Sequence, residues 1–402
     1  MSGSLYSIEA TTNLLCSVPN HASPLSSCFS AELSGILIQE EIGMASQDDG
    51  NTSQPLAIVD SHIHLYAASH IPSLNWTTDL PKDHRLNKQN SVDQYRAATA
   101  RRSSRLLGFV FLETDRKSGL EETQWTDALE EVDFLLRIAR GTPREGEGHH
   151  PDDGKLVLGI VPWAPVPAGE RELATYVQRA RQHAGDEWSL IKGFRYLVQD
   201  KPAGVMLDPR FIEGLQWLGT QNLTFDLGVD ARSGGLSQLE EACEMMDQVY
   251  PIGGSDRVRI IINHFCKPNL RLPTDEALRE HPDFAKWSKC IGRMASHQHT
   301  YMKLSGMFSE LPAQEENHPT DIPVLAARTK PWVDVVFEAF GPSRIMFGSD
   351  WPVCNVGGPG TAKSWDHWHD LVHAILTAQN LTWDEKARIW SGTAVEAYNI
   401  RL

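Results

Sequence analysis

From Leu56 onward, apolar runs of strand length alternate with longer stretches in which apolar residues recur every three to four positions. The short runs, bounded by turn residues, read as buried strands, and the longer pattern reads as amphipathic helix. Strands are predicted at 57–64, 106–113, 156–163, 190–197, 223–229, 258–265, 300–306 and 344–350. Helices are predicted near 91–102, 121–140, 169–184, 210–220, 236–250, 274–297, 326–340, 364–379 and 383–398. Eight strands, each followed by helical material, is the count of a (β/α)8 barrel. An open doubly wound sheet would want a glycine-rich phosphate loop after its first strand, and Leu65-Tyr66-Ala67-Ala68 stands there instead. The expectation is therefore an α/β chain with one TIM-barrel domain over 56–402 and a flexible extension over 1–55.

That extension is rich in Ser, Asn, Thr and Pro, with a short helix expected around 31–41. No Lys or Arg precedes Lys82, so it lacks the positive n-region of a secretory signal and the arginines of a mitochondrial presequence. Met44, shortly before the first strand, is a plausible alternative start. The net charge of −15 argues against nucleic acid or an anionic membrane surface as partner. The six cysteines form no C-x-x-C pair and read as reduced thiols of a cytoplasmic protein. Oligomeric state is left open, a homo-oligomer included.

The polar residues on the strands carry the chemistry. His62 and His64, in Asp60-Ser61-His62-Ile63-His64, are one residue apart on a strand and so share a face. Both imidazoles then address one spot beyond the strand's carboxyl end, which suits a divalent metal or a substrate oxygen. Asp350 ends the last strand, where a carboxylate facing the barrel mouth can take a proton from an attacking water. Its other reading is a turn aspartate before Trp351-Pro352. His264 ends Ile260-Ile261-Ile262-Asn263-His264 and is either a third histidine of the site or a structural residue. Arg195 needs a carboxylate or a substrate oxygen if it points into a barrel, and an ion pair with Asp226 and a contact to substrate are the two readings. Lys303 and Ser305 share a face and either touch substrate or serve structure, Lys303 then pairing with Glu310 or another acid. Trp76, Trp163 and Trp351 are candidates for the walls of a small-molecule pocket. His149-His150 and His297-Gln298-His299 fall in a polar loop and near a helix end and are set aside as metal ligands, and Cys354 reads as a packed thiol.

Five motifs fall in order along the chain: V-D-S-H-I-H-L, G-F-R-Y, I-N-H-F-C-K-P, K-L-S-G and F-G-S-D-W-P-V. Together they resemble the amidohydrolase-related barrel proteins that include sugar lactonases, and 390–398 resembles that family's last helix. D-S-H-I-H-L-Y, followed by Leu74-Asn75-Trp76 and the stretch 91–99, looks most like the fungal L-rhamnono-γ-lactonases. The resemblance implies a (β/α)8 barrel that opens an aldonolactone to a sugar acid, with Asp350 and His264 catalytic. Arg195, His62, His64, Trp76, Lys303 and Trp351 would then meet substrate. It also frames the metal. Lys192 and Lys303 are the possible bridging lysines of a two-metal site, and neither is convincing. One Zn2+ on His62, His64 and Asp350, with His264 as a further ligand, is the chemically reasonable alternative to a metal-free site. Decarboxylases and pyrone hydrolases of related barrels are the rival reading, and a non-catalytic sugar-acid-binding barrel is the third.

Overall fold

The structure is a computed structural model that describes residues 55–77, 79–250 and 257–402. The expected extension and its helix at 31–41 lie outside the described residues. Eight parallel strands form the barrel wall: β1 Ile58–Ile63, β2 Leu106–Leu112, β3 Val157–Val161, β4 Gly193–Arg195, β5 Thr224–Leu227, β6 Arg259–Ile262, β7 Thr300–Leu304 and β8 Ile345–Phe347. Ladders join β1 to β3 and β4 to β8 in sequence order. Parallel bridges Ile160–Ile191 and Trp163–Arg195 join β3 to β4, and Ile63–Trp351 closes the ring. All eight predicted strands are present, each trimmed at one or both ends.

The helices outside the wall are α1 Val92–Thr99, α2 Thr126–Arg140, α3 Glu170–Ala184, α4 Pro209–Thr220, α5 Leu236–Val249, α6 Pro282–Ala295, α7 Ile322–Phe340 and α8 Ser364–Ala378. In α2 the residues Ala128, Val132, Leu135 and Leu136 are buried, the three-to-four spacing of one face laid against the barrel. Asp208 starts α4 by accepting from the Arg210 amide, with Pro209 at the first helical position where a missing N–H costs nothing. The expected helix at 383–398 is broken into α9 Trp383–Ala387, a π turn and α10 Thr393–Ala397.

The core has two layers. The larger lies between strands and helices. The smaller fills the barrel itself, where Val59, Val110, Val161, Ile261, Tyr301 and Met346 meet Ala394, Ala397, Tyr398 and Ile400. The last turn of the chain thus plugs the amino-terminal mouth and leaves the other mouth for function. Among the described residues no helix is long and apolar enough to cross a membrane.

Candidate active site

The first strand is not regular, and its irregularity builds the site. Asp60 pairs with Phe109 and Ile63 with Phe111, so three steps on β1 oppose two on β2. One extra residue is a bulge, and it resets which side chains face inward. Val59 lies in the barrel interior, while Asp60 turns outward to accept from Tyr95 Oη (3.0 Å) on α1 and Trp365 Nε1 (2.9 Å) on α8. After the bulge His62 and His64 both face in, their Nε2 atoms 3.2 Å apart. Asp60 also accepts from the Ser349 amide at 2.8 Å, and the Asp350 amide donates to the His62 carbonyl at 2.9 Å. The ends of β1 and β8 are therefore fastened together, with Asp350 held at φ 58°.

Asp350 Oδ1 stands 3.5 Å from His62 Nε2, 3.6 Å from His64 Nε2 and 3.6 Å from His264 Nε2. His264 reaches this point on an unusual support. Residues His264, Phe265, Cys266 and Lys267 all have left-handed φ, between 48° and 60°. Left-handed backbone costs about 1–2 kcal/mol per non-glycine residue. The turn persists because its polar groups are occupied: Trp287 Nε1 donates to the Phe265 carbonyl at 2.9 Å, and the Ala231 and Arg232 amides donate to Cys266 and Lys267 carbonyls. Strain held in place by neighbours in this way is typical of functional sites.

Gly306 makes room for the His264 ring. A Cβ there would lie 2.5 Å from both Cγ and Nδ1 of His264, and Gly306 has φ +67°. Gly306→Ala is expected to destabilise the fold by about 2–4 kcal/mol, combining left-handed strain with overpacking. Urea unfolding checks this; an unchanged midpoint would show that the His264 ring moves aside freely.

Burial pushes the Asp350 carboxyl up, but His264, His64 and Lys267 outweigh it and hold the group below the usual aspartate range. Burial lowers His264 to about 3 against the pull of Asp350, and burial and Lys303 take His62 well below the ordinary histidine value. An ionised carboxylate thus faces the neutral imidazoles of His62 and His264 at neutral pH.

The donor set fits a divalent ion. His62, His64 and Asp350 offer ligand atoms within 4.8 Å of one another. Ligand atoms about 2.0–2.1 Å from a tetrahedral zinc stand roughly 3.4 Å apart, close to the spacings above. His64 Nδ1 lies 3.0 Å from the carbonyl oxygens of Leu112 and Glu113, which can only accept. Nδ1 therefore carries a proton, which fixes the ring with its other nitrogen toward Asp350, the orientation metal-binding histidines require.

Beneath His62 lies a buried polar group. Lys303 Nζ is 2.6 Å from Asp226 Oδ1 and 3.2 Å from His62 Nδ1, and Tyr398 Oη is 2.9 Å from both Asp226 oxygens. Desolvation lowers the Lys303 ammonium to about 8 even with Asp226 opposing it.

Above the carboxylate opens a cavity of about 370 Å3, the size of a small-molecule site. His64, His264, Asp350, Arg195 and Trp76 border it. The remaining expectations fare differently. Lys303 is fully buried below the cavity and Trp351 is packed edge-on against Tyr95, so neither is placed to touch a ligand. His62 is fully buried too and presents only its ring edge to Asp350. Trp163 packs on Tyr176 and Tyr196. Arg195 pairs with Glu113 (Nε to Oε1, 3.1 Å) and not with Asp226, which Lys303 takes. Glu310 pairs with Arg232. Ser305 supports His264 through Oγ to Nδ1 at 2.8 Å. His149 and His297 are engaged by Glu147 and Asp247. Glu113, Asp115 and Lys267 border the cavity but were not among the candidates. Glu113 stands last in the run 106–113, so an acid at a strand's carboxyl end was the signal available. Burial works to raise its carboxyl and the Arg195 guanidinium beside it opposes the rise.

A closed parallel barrel with imidazoles and a carboxylate gathered at the carboxyl ends of β1, β6 and β8 has the architecture of a catalytic barrel, whose active site lies at that mouth. Residues 250–400 match the amidohydrolase family. The chain is 34% identical to the L-rhamnono-gamma-lactonase of Scheffersomyces stipitis over 348 residues, 85% of this chain and 98% of that one. It is 28% identical to an L-fucono-1,5-lactonase of Burkholderia multivorans, over 67% of this chain and 76% of the other. A Burkholderia multivorans amidohydrolase crystallised with zinc superposes with a TM-score of 0.59 at 24% identity, covering 86% of this chain and all of its own. The chain belongs to the amidohydrolase family.

Proposed function

We propose that this carboxylic-ester hydrolase opens a sugar lactone, with L-rhamnono-1,4-lactone going to L-rhamnonate as the preferred reaction. The observation that carries the reading is the convergence of Asp350, His64 and His264 on one open cavity with His62 behind them. The relatives named for lactonase activity support the substrate class, at 34% and 28% identity.

In this mechanism a water beside Asp350 adds to the lactone carbonyl carbon and passes its proton to the carboxylate. The carbonyl oxygen gains the negative charge, and His264, neutral and 3.6 Å from Asp350, donates Nε2–H to it. For that the Ser305 hydroxyl donates to His264 Nδ1. The ring C–O bond then breaks, and Asp350 returns its proton to the departing alkoxide, leaving the open hydroxy acid. A divalent ion, zinc above others, held by His62, His64 and Asp350 would add Lewis acidity at the carbonyl.

The cavity's charges weigh against the rival substrates. It is bordered by four carboxylates (Glu113, Asp115, Asp200, Asp350) and two cations, Arg195 and Lys267. Arg195 faces Glu113, and Lys267 donates to Gln199 at 3.1 Å. A pyrone dicarboxylate or an aromatic acid would find few free cations here, whereas a neutral polyol finds many acceptors. A non-catalytic barrel would want Asp350 tied into structure away from any opening, and it borders the cavity. The buried free cysteines Cys243, Cys266, Cys290 and Cys354 agree with the cytoplasm as its place.

The test is a hydrolysis assay on a panel of aldonolactones before and after chelation, with zinc returned. We expect turnover of L-rhamnono-1,4-lactone that falls at least tenfold on chelation and recovers with zinc. Turnover indifferent to chelation, in protein free of metal by elemental analysis, would leave the imidazoles acting alone. No turnover of any lactone would overturn the reading.

A further inference from the structure

Across the cavity from β8, Glu113 and Arg195 form a pair that the mechanism does not use. Glu113 is 1% exposed and Arg195 7%. The two charges lie 3.1 Å apart, yet Glu113 Oε1 and Arg195 Nε and Nη1 have no hydrogen-bond partner. The other Glu113 oxygen accepts from the Asp115 amide, which fixes the carboxylate in place. Asp115 itself is held at φ 54° and accepts from Asn75 Nδ2 at 3.1 Å. Buried polar atoms in folded proteins almost always have partners. Here the two side chains stand side by side on a rigid support at the edge of an open cavity, with Glu113 Oε1 and Arg195 Nη1 lying without hydrogen bonds just behind its surface.

We infer that Glu113 and Arg195 together form a hydroxyl-recognition site that selects lactones bearing a free hydroxyl remote from the carbonyl under attack. A hydroxyl is both donor and acceptor: its proton goes to Glu113 Oε1, and its oxygen accepts from Arg195 Nη1. Among the groups on a sugar lactone, whose ring oxygen and carbonyl only accept, the hydroxyl alone matches both. A ligand carboxylate would satisfy Arg195 but face the Glu113 carboxylate, and a deoxy position would leave both atoms unpaired. Sites built to bond a hydroxyl discriminate strongly against analogues lacking it. The inference rests on the lactonase reading and adds to it the feature by which one lactone is told from another.

The experiment compares kcat/KM for L-rhamnono-1,4-lactone, for γ-butyrolactone, which has no hydroxyl, and for an aldarolactone carrying a free carboxylate. It is run on the native chain and on Glu113→Gln. Native enzyme is expected to favour the rhamnonolactone over both others, and Glu113→Gln to shrink the preference over γ-butyrolactone by about 100-fold. Equal losses on rhamnonolactone and γ-butyrolactone would make Glu113 a structural residue and overturn the inference. Native enzyme that takes the aldarolactone as well as the rhamnonolactone would overturn it without any variant, should Glu113→Gln fail to fold. Hydrolysis of no lactone by native enzyme would sink the activity itself, an outcome distinct from either.

Discussion

Asp350→Asn is expected to lower kcat for lactone hydrolysis by about a thousandfold, within the range a positioned general base contributes, while the protein stays folded. Asparagine keeps the shape of the side chain and is among the residues that best tolerate left-handed backbone, so φ 58° is no obstacle. The Asp350 amide keeps its bond to the His62 carbonyl, and its carbonyl still accepts from the Cys354 amide. What goes is the charge: an amide cannot take the water's proton, and it is a poor ligand for a metal held with His62 and His64. Circular dichroism and steady-state kinetics on the same preparation separate the two effects. A variant with near-native turnover would remove Asp350 from the mechanism.

Lys303→Met is expected to cost about 3–5 kcal/mol of stability, the usual penalty for stranding one member of a buried ion pair. Asp226 is fully buried and would keep only the Tyr398 hydroxyl. Activity should fall as well, because Lys303 Nζ is the group at His62 Nδ1 and fixes how that ring presents its other nitrogen. Replacing the whole group, with Lys303→Met, Asp226→Leu and Tyr398→Phe together, should restore much of the stability without the activity. Denaturant midpoints and kcat/KM on both variants test this. Recovery of both together would mean that Lys303 serves the fold alone.

The barrel was legible because its signals are local. Each strand is an apolar run, each helix a periodic stretch, and order along the chain becomes order around the wall. His62, His64, His264 and Asp350 were legible for the same reason: each ends a strand, and all strands end at the same mouth. Partner choice was not legible. Arg195 and Asp226 are adjacent across β4 and β5, yet Arg195 turns to Glu113, just past the end of β2, because Lys303 already holds Asp226. That choice depends on where side chains meet inside the ring, which no spacing encodes. The bulge in β1 was hidden as well, since an H-x-H reads alike with or without it. The left-handed turn at 264–267 had no glycine to announce it, and only its tertiary partners make it tenable. Trp351 and Lys303 misled because a residue beside the site in sequence is not thereby open to it.

The plug at the amino-terminal mouth has a consequence for the order of assembly. His62 arrives with the first strand, but Asp350 follows 288 residues later in the sequence and Tyr398 later still. During synthesis from the amino end, Asp226 and Lys303 are laid down while the hydroxyl that completes their group is still to be made. The ring's seam between Ile63 and Trp351 is likewise unclosed until β8 emerges. Contacts this distant in sequence form slowly, because a long loop must close before they reward it. The nascent chain therefore carries a ring with an open seam until β8 is made, and an unfinished polar centre beneath His62 until the turn bearing Tyr398 follows.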